Sequence, residues 1–360
     1  MPGTRNSRTT FERRRPADAA SRFPGNEERG QAMPDEYPSM NRRRILLTGS
    51  LLAGAALASR WGVAASGPLD LSRTRLGVGT YKGAAPSFFE EAGVAPPPYE
   101  VSYAELAGGN LIVEALAAGS LDVGSMSEIP PVFAIRSRAP IKLIAVLRGD
   151  VNNQVFLVPR GSGIREIAEL KGKRVGFVRS TTSHYFLIKA LKEQGLSLAD
   201  IEPVGLTPQD GFSAFQSGQL DAWVIYGIHI QIALARTGAR IIKTALGYLS
   251  GNYVIAARAE SLKDPYRVAA IKDYLAREQQ VWDWVQANPE RWAKKSAAIT
   301  GIDASLFMDQ FRAHSEPYRM VPVDDAAIAS QQEVADLFHE AGVLDQRLDV
   351  APLWTRDVWP

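Results

Sequence analysis

Three short stretches of this chain combine small residues, hydroxyls and free backbone amides at points where a strand-like run gives way to a helix-like one. In Ala107-Gly108-Gly109-Asn110, two glycines allow close approach of a ligand to the backbone, and Asn110 is placed to cap the following helix. Val123-Gly124-Ser125-Met126-Ser127-Glu128-Ile129-Pro130-Pro131 leaves a strand and enters Val132-Phe133-Ala134. Val178-Arg179-Ser180-Thr181-Thr182-Ser183-His184-Tyr185 sets four hydroxyls at the head of an apolar helix. Unpaired N–H groups and the positive end of the helix dipole make such junctions good sites for anions. One junction by itself is ordinary helix capping. Three together predict a cleft that holds a sulfonate or carboxylate without a catalytic group.

The rest of the chemistry-bearing residues favour binding over catalysis. The 360 residues include no cysteine, which removes disulfides, thiolate metal sites, iron–sulfur clusters and cysteine nucleophiles. His184, His229, His314 and His339 lack metal-ligand spacing. Ser183 and His184 are adjacent, and neighbours in sequence rarely reach the geometry a nucleophile and its base require. Gly77-x-Gly79 lacks the third glycine of a dinucleotide loop. No cofactor and no metal are expected.

A hydrophobic content of 46% and a charged content of 22% describe an ordinary globular chain, long enough for two lobes. The net charge of +2 is unevenly spread: residues 1–65 hold 11 Arg against 6 acids, leaving 30 basic and 33 acidic residues in the remainder. The basic character therefore belongs to the N-terminal segment, and no nucleic-acid footprint is expected. Met40-Asn41-Arg42-Arg43-Arg44-Ile45-Leu46-Leu47, a mostly apolar run to Leu57 and the small residues Val63-Ala64-Ala65 form a basic, apolar and cleavage-site sequence typical of an export signal. The arginine run resembles the twin-arginine type, with Sec export as the rival route. Residues 1–39 read as disorder or as an extension upstream of a natural start at Met40 or Met33. Without a cysteine there is no lipid anchor, so a free periplasmic protein is expected.

The elements that must position the three junctions follow from periodicity. Strands are expected over Thr74–Gly79, Tyr99–Tyr103, Ile141–Leu147, Gln154–Val158, Arg174–Val178, Ala222–Ile225 and Tyr253–Ala257. Helices are expected over Asn110–Ala118, stopped by Gly119, and over Ser183–Gln194, stopped by Gly195. Beyond Leu262 the strand signal ends, and Val268–Gln286 and Pro289–Ile299 read as helices with Trp282, Trp284 and Trp292 as packing residues. The alternation predicts an α/β fold.

Gly119-Ser120-Leu121-Asp122-Val123-Gly124, then Ser127 to Ala134, Leu170 to Gly176, Thr182 to Tyr185 with Lys189-Ala190-Leu191, and Asp221-Ala222-Trp223 occur in an order that resembles the periplasmic aliphatic sulfonate-binding proteins of ABC importers, in the nitrate/sulfonate/taurine group. The resemblance runs from about Leu71 to Asn288. It implies the type II periplasmic binding protein fold: two α/β lobes joined by two crossover strands, with ligand between them. It places the crossovers near Gln154–Leu157 and Gly251–Val254, lobe 1 over 71–155, lobe 2 over 156–250, and 251–360 as the return to lobe 1 with C-terminal helices.

Carried over by position, the resemblance implies a cleft lined by Tyr81, Lys82, Ser127 and Glu128 on one side and by Thr182, Ser183 and His184 on the other, and the first junction adds Gly109 and Asn110 as ligand-binding candidates. Asp221 and Trp223 would form the floor, with Tyr226 next to them. A second role for Asp221 is to hold a neighbouring loop by hydrogen bonds. One departure stands out: an acid and a proline common in the family after this aromatic are replaced by Gly227 and Ile228, which opens the cleft to an aryl or bulkier ligand. The implied partners are a small organic anion and a membrane ABC permease, with the protein a monomer. The competing readings are a desulfinase-like or pyrimidine-synthase-like enzyme on the same fold, disfavoured by the lack of cysteine, and a nitrate, taurine or carboxylate system.

Overall fold

The structure, a computed structural model, describes residues 69–359. The expected export signal at 40–65 and the segment before it lie outside the described residues. In chain order the strands are β1 (Arg75–Thr80), β2 (Glu100–Glu105), β3 (Val123–Ser127), β4 (Ile141–Arg148), β5 (Gln154–Val158), β6 (Arg174–Phe177), β7 (Glu202–Gly205), β8 (Ala222–Tyr226), β9 (Arg240–Thr244), β10 (Asn252–Arg258) and β11 (Arg319–Val321). The helices are α1 (Gly109–Ala117), α2 (Pro130–Arg136), α3 (Thr182–Glu193), α4 (Pro208–Gln216), α5 (Ile228–Thr237), α6 (Pro265–Ala287), α7 (Pro289–Thr300), α8 (Ala304–Arg312) and α9 (Asp325–Glu340). The expected strands and helices are all present, within a few residues of their predicted ends.

Two mixed sheets result, with strand orders β11-β4-β10-β3-β1-β2 and β7-β6-β8-β5-β9. In the first, β1, β2 and β3 run parallel, and β10 lies antiparallel between β3 and β4. In the second, β6, β7 and β8 run parallel, and β5 lies antiparallel between β8 and β9. The chain uses β5 to enter the second sheet and β10 to return to the first. It leaves the first sheet at the carboxyl end of β4 and starts β5 at the carboxyl edge of β8; it returns from β9 into β10 at the carboxyl edge of β3. The carboxyl edges of the two sheets are thereby joined, and this is the edge where open α/β sheets bind ligands.

The crossings fall at 149–153 and 245–251, with Gly149 N–H donating to Gly251 O at 3.1 Å. The first crossing is therefore earlier than expected. Gln154–Leu157 already pairs within the second sheet, against Tyr226–Trp223 of β8.

Strand sequences match their burial. β5 alternates between two cores, with Val155 and Leu157 packed beside Phe215 and Trp223, and Phe156 and Val158 packed beside Phe186 and Leu187. β4 is apolar from Leu143 to Leu147 because both faces of its sheet are covered. A bulge opposite Ile255/Ala256 shifts its alternation, so Leu143 and Val146 face one core while Ile144 and Leu147 face the other. The C-terminal helix α9 places Val334 and Phe338 against Ile129 and Val132 near α2 and against Tyr185 and Ile188 of α3. It ties the helices flanking both sheets into one cluster. Trp282 stacks on Tyr318 at 4.8 Å, Trp284 lies 6.2 Å from Phe88, and Trp292 meets Phe307 edge-on at 5.7 Å, all packing roles. The strand signal does not end at Leu262, however: β11 adds a third antiparallel edge pairing, Met320 opposite Leu147.

Candidate ligand-binding cleft

Two helix N-termini open onto the joined carboxyl edges. α1 begins at Gly109 with Gly108 as its N-cap in extended conformation and no side-chain cap. The expected capping by Asn110 does not occur, because the helix starts one residue earlier and Asn110 already lies inside it. Among the described residues the N–H groups of Gly109 and Asn110 have no hydrogen-bond partner. A Cβ on Gly109 would come within 2.8 Å of Met126 Cβ, 3.0 Å of Pro130 Cγ and 3.4 Å of the Tyr81 hydroxyl. Glycine is required there by close approach, and the Tyr81 hydroxyl sits over the helix start.

α3 is built on the same plan. Its N-cap Thr181 is extended and gives no side-chain cap, since its Oγ1 donates to Val178 O at 2.7 Å. Ser183 Oγ accepts from Val178 N–H at 3.1 Å and lies 3.1 Å from Thr181 Oγ1. The hydroxyls of Thr181 and Ser183 are thus used to shape the loop. The N–H groups of Thr182 and Ser183 remain without partners among the described residues. Ser180 is held in the left-handed region at φ 56, a strained position for a residue with a side chain.

His184 is buried rather than presented to the cleft. Its Nδ1 accepts from Ser180 N–H at 3.3 Å, and its ring lies 4.7 Å from Phe177 and 5.3 Å from Phe338 of α9. Burial, aided by the nearby Arg179 guanidinium, lowers it to about 4. The ring is neutral at pH 7 and carries its proton on Nε2, an assignment that follows from Nδ1 acting as acceptor.

The cleft wall is aromatic. Tyr81, at the end of β1, lies near Tyr226, at the end of β8, and near Tyr253, in β10; burial first, and then these neighbouring phenols, raise the Tyr81 hydroxyl well above its ordinary value. Burial with Tyr253 nearby brings Tyr226 to about 12. All three are neutral donors over the physiological range. Asn153, in the first crossing, donates from Nδ2 to the hydroxyls of both Tyr253 and Tyr318 at 2.9 Å, while its buried Oδ1 has no partner. Ser127 ends β3 directly opposite Tyr253. Lys82 follows Tyr81 but is exposed.

Glu128 is 4% exposed and turned away from solvent. Ser250 Oγ donates to its Oε1 at 2.7 Å, Ser330 Oγ lies 3.1 and 3.0 Å from Oε1 and Oε2, and Gln331 Nε2 donates to its carbonyl at 2.8 Å. The carboxyl joins β3, the returning crossing and α9 instead of lining the wall. Burial pushes it up to about 7, against the pull of its hydroxyl and amide donors.

Asp221 and Trp223 do not form the floor. Asp221 immediately precedes β8 and Trp223 is its second residue, so Tyr226 lies ~16 Å beyond the first and ~10 Å beyond the second at the rise of an extended strand. Asp221 accepts from Arg174 N–H at 2.8 Å and from its guanidinium at 2.9 and 3.1 Å, and that guanidinium holds the carboxyl below its ordinary range. This is its expected second role. Trp223 is fully buried between Phe212 and Phe215 because alternation along β8 turns it to the core face opposite Val224.

Gly227 gives the departure from the family pattern a physical meaning. It caps α5 at φ 65, ψ −150, a backbone region open essentially only to glycine, and its N–H donates to Asn153 O at 2.8 Å. Apart from its chain neighbours Tyr226 and Ile228, nothing among the described residues lies within 4 Å of where a Cβ would stand, so the space there is open.

A separate cavity of about 660 Å³ lies between α3 and α9, lined by Lys189, Lys192, Gln332, Glu333 and Glu340 among others. Its charges pair with one another, Lys189 with Glu333 at 2.7 Å and Lys192 with Glu340, so it is a poorer candidate for a small anion than the uncapped helix ends. Among the described residues no cluster of His, Asp and Glu is arranged to hold a metal, and no helix is long and apolar enough to cross a membrane.

The fold and the uncapped helix ends together define a bilobal binding architecture. The chain belongs to the family described as NMT1/THI5 like, whose pattern matches residues 78–292. A protein of Escherichia coli (strain K12) named for aliphatic sulfonate binding is 32% identical over 255 residues, covering 71% of this chain and 79% of the relative. The crystal structure of the periplasmic aliphatic sulphonate binding protein SsuA from Escherichia coli superposes with a TM-score of 0.71 at 30% identity, over 79% of this chain and 92% of that one. The alkanesulfonate-binding protein SsuA from Xanthomonas axonopodis pv. citri, bound to MOPS, gives the same TM-score at 26% identity, over 78% and 98%. These relatives are named as binding proteins, and the expected family and type II fold are borne out.

Proposed function

We propose that this protein is the solute-binding component of an ABC importer and captures a small organic anion, an alkanesulfonate or arylsulfonate, by closure of two lobes. The observation that carries the reading is the pair of uncapped helix N-termini, α1 and α3, on sheets whose carboxyl edges are joined by the crossings. The N–H groups of Gly109, Asn110, Thr182 and Ser183 would hold the anionic head, with Ser127 beside them. Tyr81, Tyr226 and Tyr253 would cover the tail, and the space left at Gly227 suits a ring. The lobes would divide at the two crossings, and hinge closure about them is the ordinary repertoire of such folds. The relatives named above support a sulfonate over nitrate or a carboxylate as cargo, and a periplasmic location. Export through the segment at 40–65, of the twin-arginine type, a free unlipidated form, a monomeric state and a permease partner complete the reading.

Calorimetric titration with ethanesulfonate and benzenesulfonate, followed by recovery and analysis of the ligand, tests it. Saturable binding with the ligand recovered unchanged is expected. Turnover at stoichiometric protein would overturn the binding reading in favour of an enzyme.

A further inference from the structure

Glu128 is a buried carboxyl one residue beyond Ser127, and among the described residues it has no cationic partner. Ser127, its neighbour, ends β3 opposite Tyr253 of the tyrosine cluster. Its donors are uncharged: Ser250 from the returning crossing, two residues before β10 begins, and Ser330 from α9. The charged and titratable groups that face this site are themselves engaged. Arg148 of β4 donates to Asn252 at 3.3 Å and pairs with Asp324 at 2.7 Å. Glu333 of α9 pairs with Lys189 of α3 at 2.7 Å and accepts from Tyr185 at 3.2 Å. Hydroxyl partners can reverse their donor roles, so this pocket can hold Glu128 either as a carboxylate accepting two hydroxyl protons or as an acid donating one.

We propose that Glu128 takes up a proton when an organic anion enters the cleft, so that anion capture and protonation of this buried carboxyl are linked; this rests on the binding reading above. A second negative charge brought to a desolvated site disfavours the carboxylate, because a like charge in low-dielectric surroundings stabilises the neutral acid. Burial already holds Glu128 at about 7, where a modest further rise changes its charge near neutral pH. The proton comes from solvent and sits on a carboxyl oxygen, shared with Ser250 or Ser330. Linkage is reciprocal: if binding favours the acid, the acid favours binding.

The experiment is calorimetric titration of the protein with ethanesulfonate and benzenesulfonate, ligands that stay ionised throughout, in two buffers of equal pH and different ionisation heat. The expected result is uptake of about half a proton per ligand near pH 7 and a Kd that rises about three- to tenfold from pH 6 to pH 8. In Glu128→Gln the uptake disappears and Kd becomes flat over this range. Ser330→Ala, which removes one donor to the carboxylate, moves the midpoint of the pH dependence upward, a shift that a purely packing role would not produce. Sulfonate binding with no buffer-dependent heat overturns the proposal while leaving the binding reading intact. So does uptake that persists in Glu128→Gln, or an unmoved midpoint in Ser330→Ala. Absence of sulfonate binding in the unmodified protein overturns the binding reading and this linkage with it.

Discussion

Tyr81, Tyr226 and Tyr253 bring three neutral phenols to one place from two sheets, and each stays protonated because burial opposes its ionisation. Such a wall can donate hydrogen bonds and cover an apolar tail without adding charge. His184 and Trp223, by contrast, act through packing. Trp223→Ala is expected to cost about 3–5 kcal/mol of stability, as large-to-small changes in filled cores do, seen as a lower denaturant midpoint; an unchanged midpoint would contradict its core placement. His184 has its folded pKa depressed to about 4, so the unfolded chain takes up the proton more readily. The stability this gives is present above the unfolded value of about 6.5 and is lost as pH falls from there toward 4, on the order of 3 kcal/mol in full. His184→Gln should remove that component, measured as a shallower fall in urea midpoint between pH 6.5 and 4 than in the unmodified protein. Of the phenols gathered at the joined edges, Tyr81 and Tyr226 were named through the family resemblance alone. Tyr253 was not: it lies within a strand, and only the antiparallel return of β10 brings it to the carboxyl edge. Trp223 was misplaced for a related reason, since the facing of a residue in a strand buried on both sides has no polar alternation to reveal it.

At the level of elements, the geometry of two helix starts decides what the cleft can hold. Gly109 lets β3 and the start of α2 press against α1 with its first amides exposed. Gly109→Val would drive side-chain carbons into Met126 and Pro130, and should lower stability by about 1–3 kcal/mol as overpacking does. It should also reduce the affinity for sulfonates, measured by calorimetry; retention of full affinity would remove α1 from the anion site. Most central strands and the helices α1, α3, α6 and α7 were readable from apolar runs and from punctuating glycines or prolines because burial dictates their composition, whereas the 16-residue α9 was not. The strands outside every expected range are β3, which lies inside the second junction, and β7, β9 and β11, which are edge strands. β7 reads Glu-Pro-Val-Gly and β9 Arg-Ile-Ile-Lys-Thr, and edges carry proline and charge because one side of the ladder must stay unpaired. The early position of the first crossing was hidden for another reason: Gln154 to Val158 has the same apolar character whether it links two sheets or belongs to one.

Across the whole molecule, the two sheets are held by the crossings, which are bonded to each other through Gly149 and Gly251, and by α9, whose Phe338 packs in one cluster with α3 and residues beside α2. Glu333 and Glu340 of α9 pair with Lys189 and Lys192 of α3, so the C-terminal helix follows the second sheet as well as the first. This connection was not legible, because it depends on where a helix more than 130 residues downstream of α3 returns in space. The connection gives a ligand bound between the edges leverage on both halves, and a ligand that binds only the folded protein must raise its thermal midpoint. The most direct test of the account is therefore a thermal-shift series with alkanesulfonates, arylsulfonates, taurine, nitrate, sulfate and carboxylates. A rise of about 4–8 °C is expected with an organic sulfonate at roughly a hundred times its Kd, and little or none with nitrate or sulfate. No rise with any organic sulfonate would contradict it.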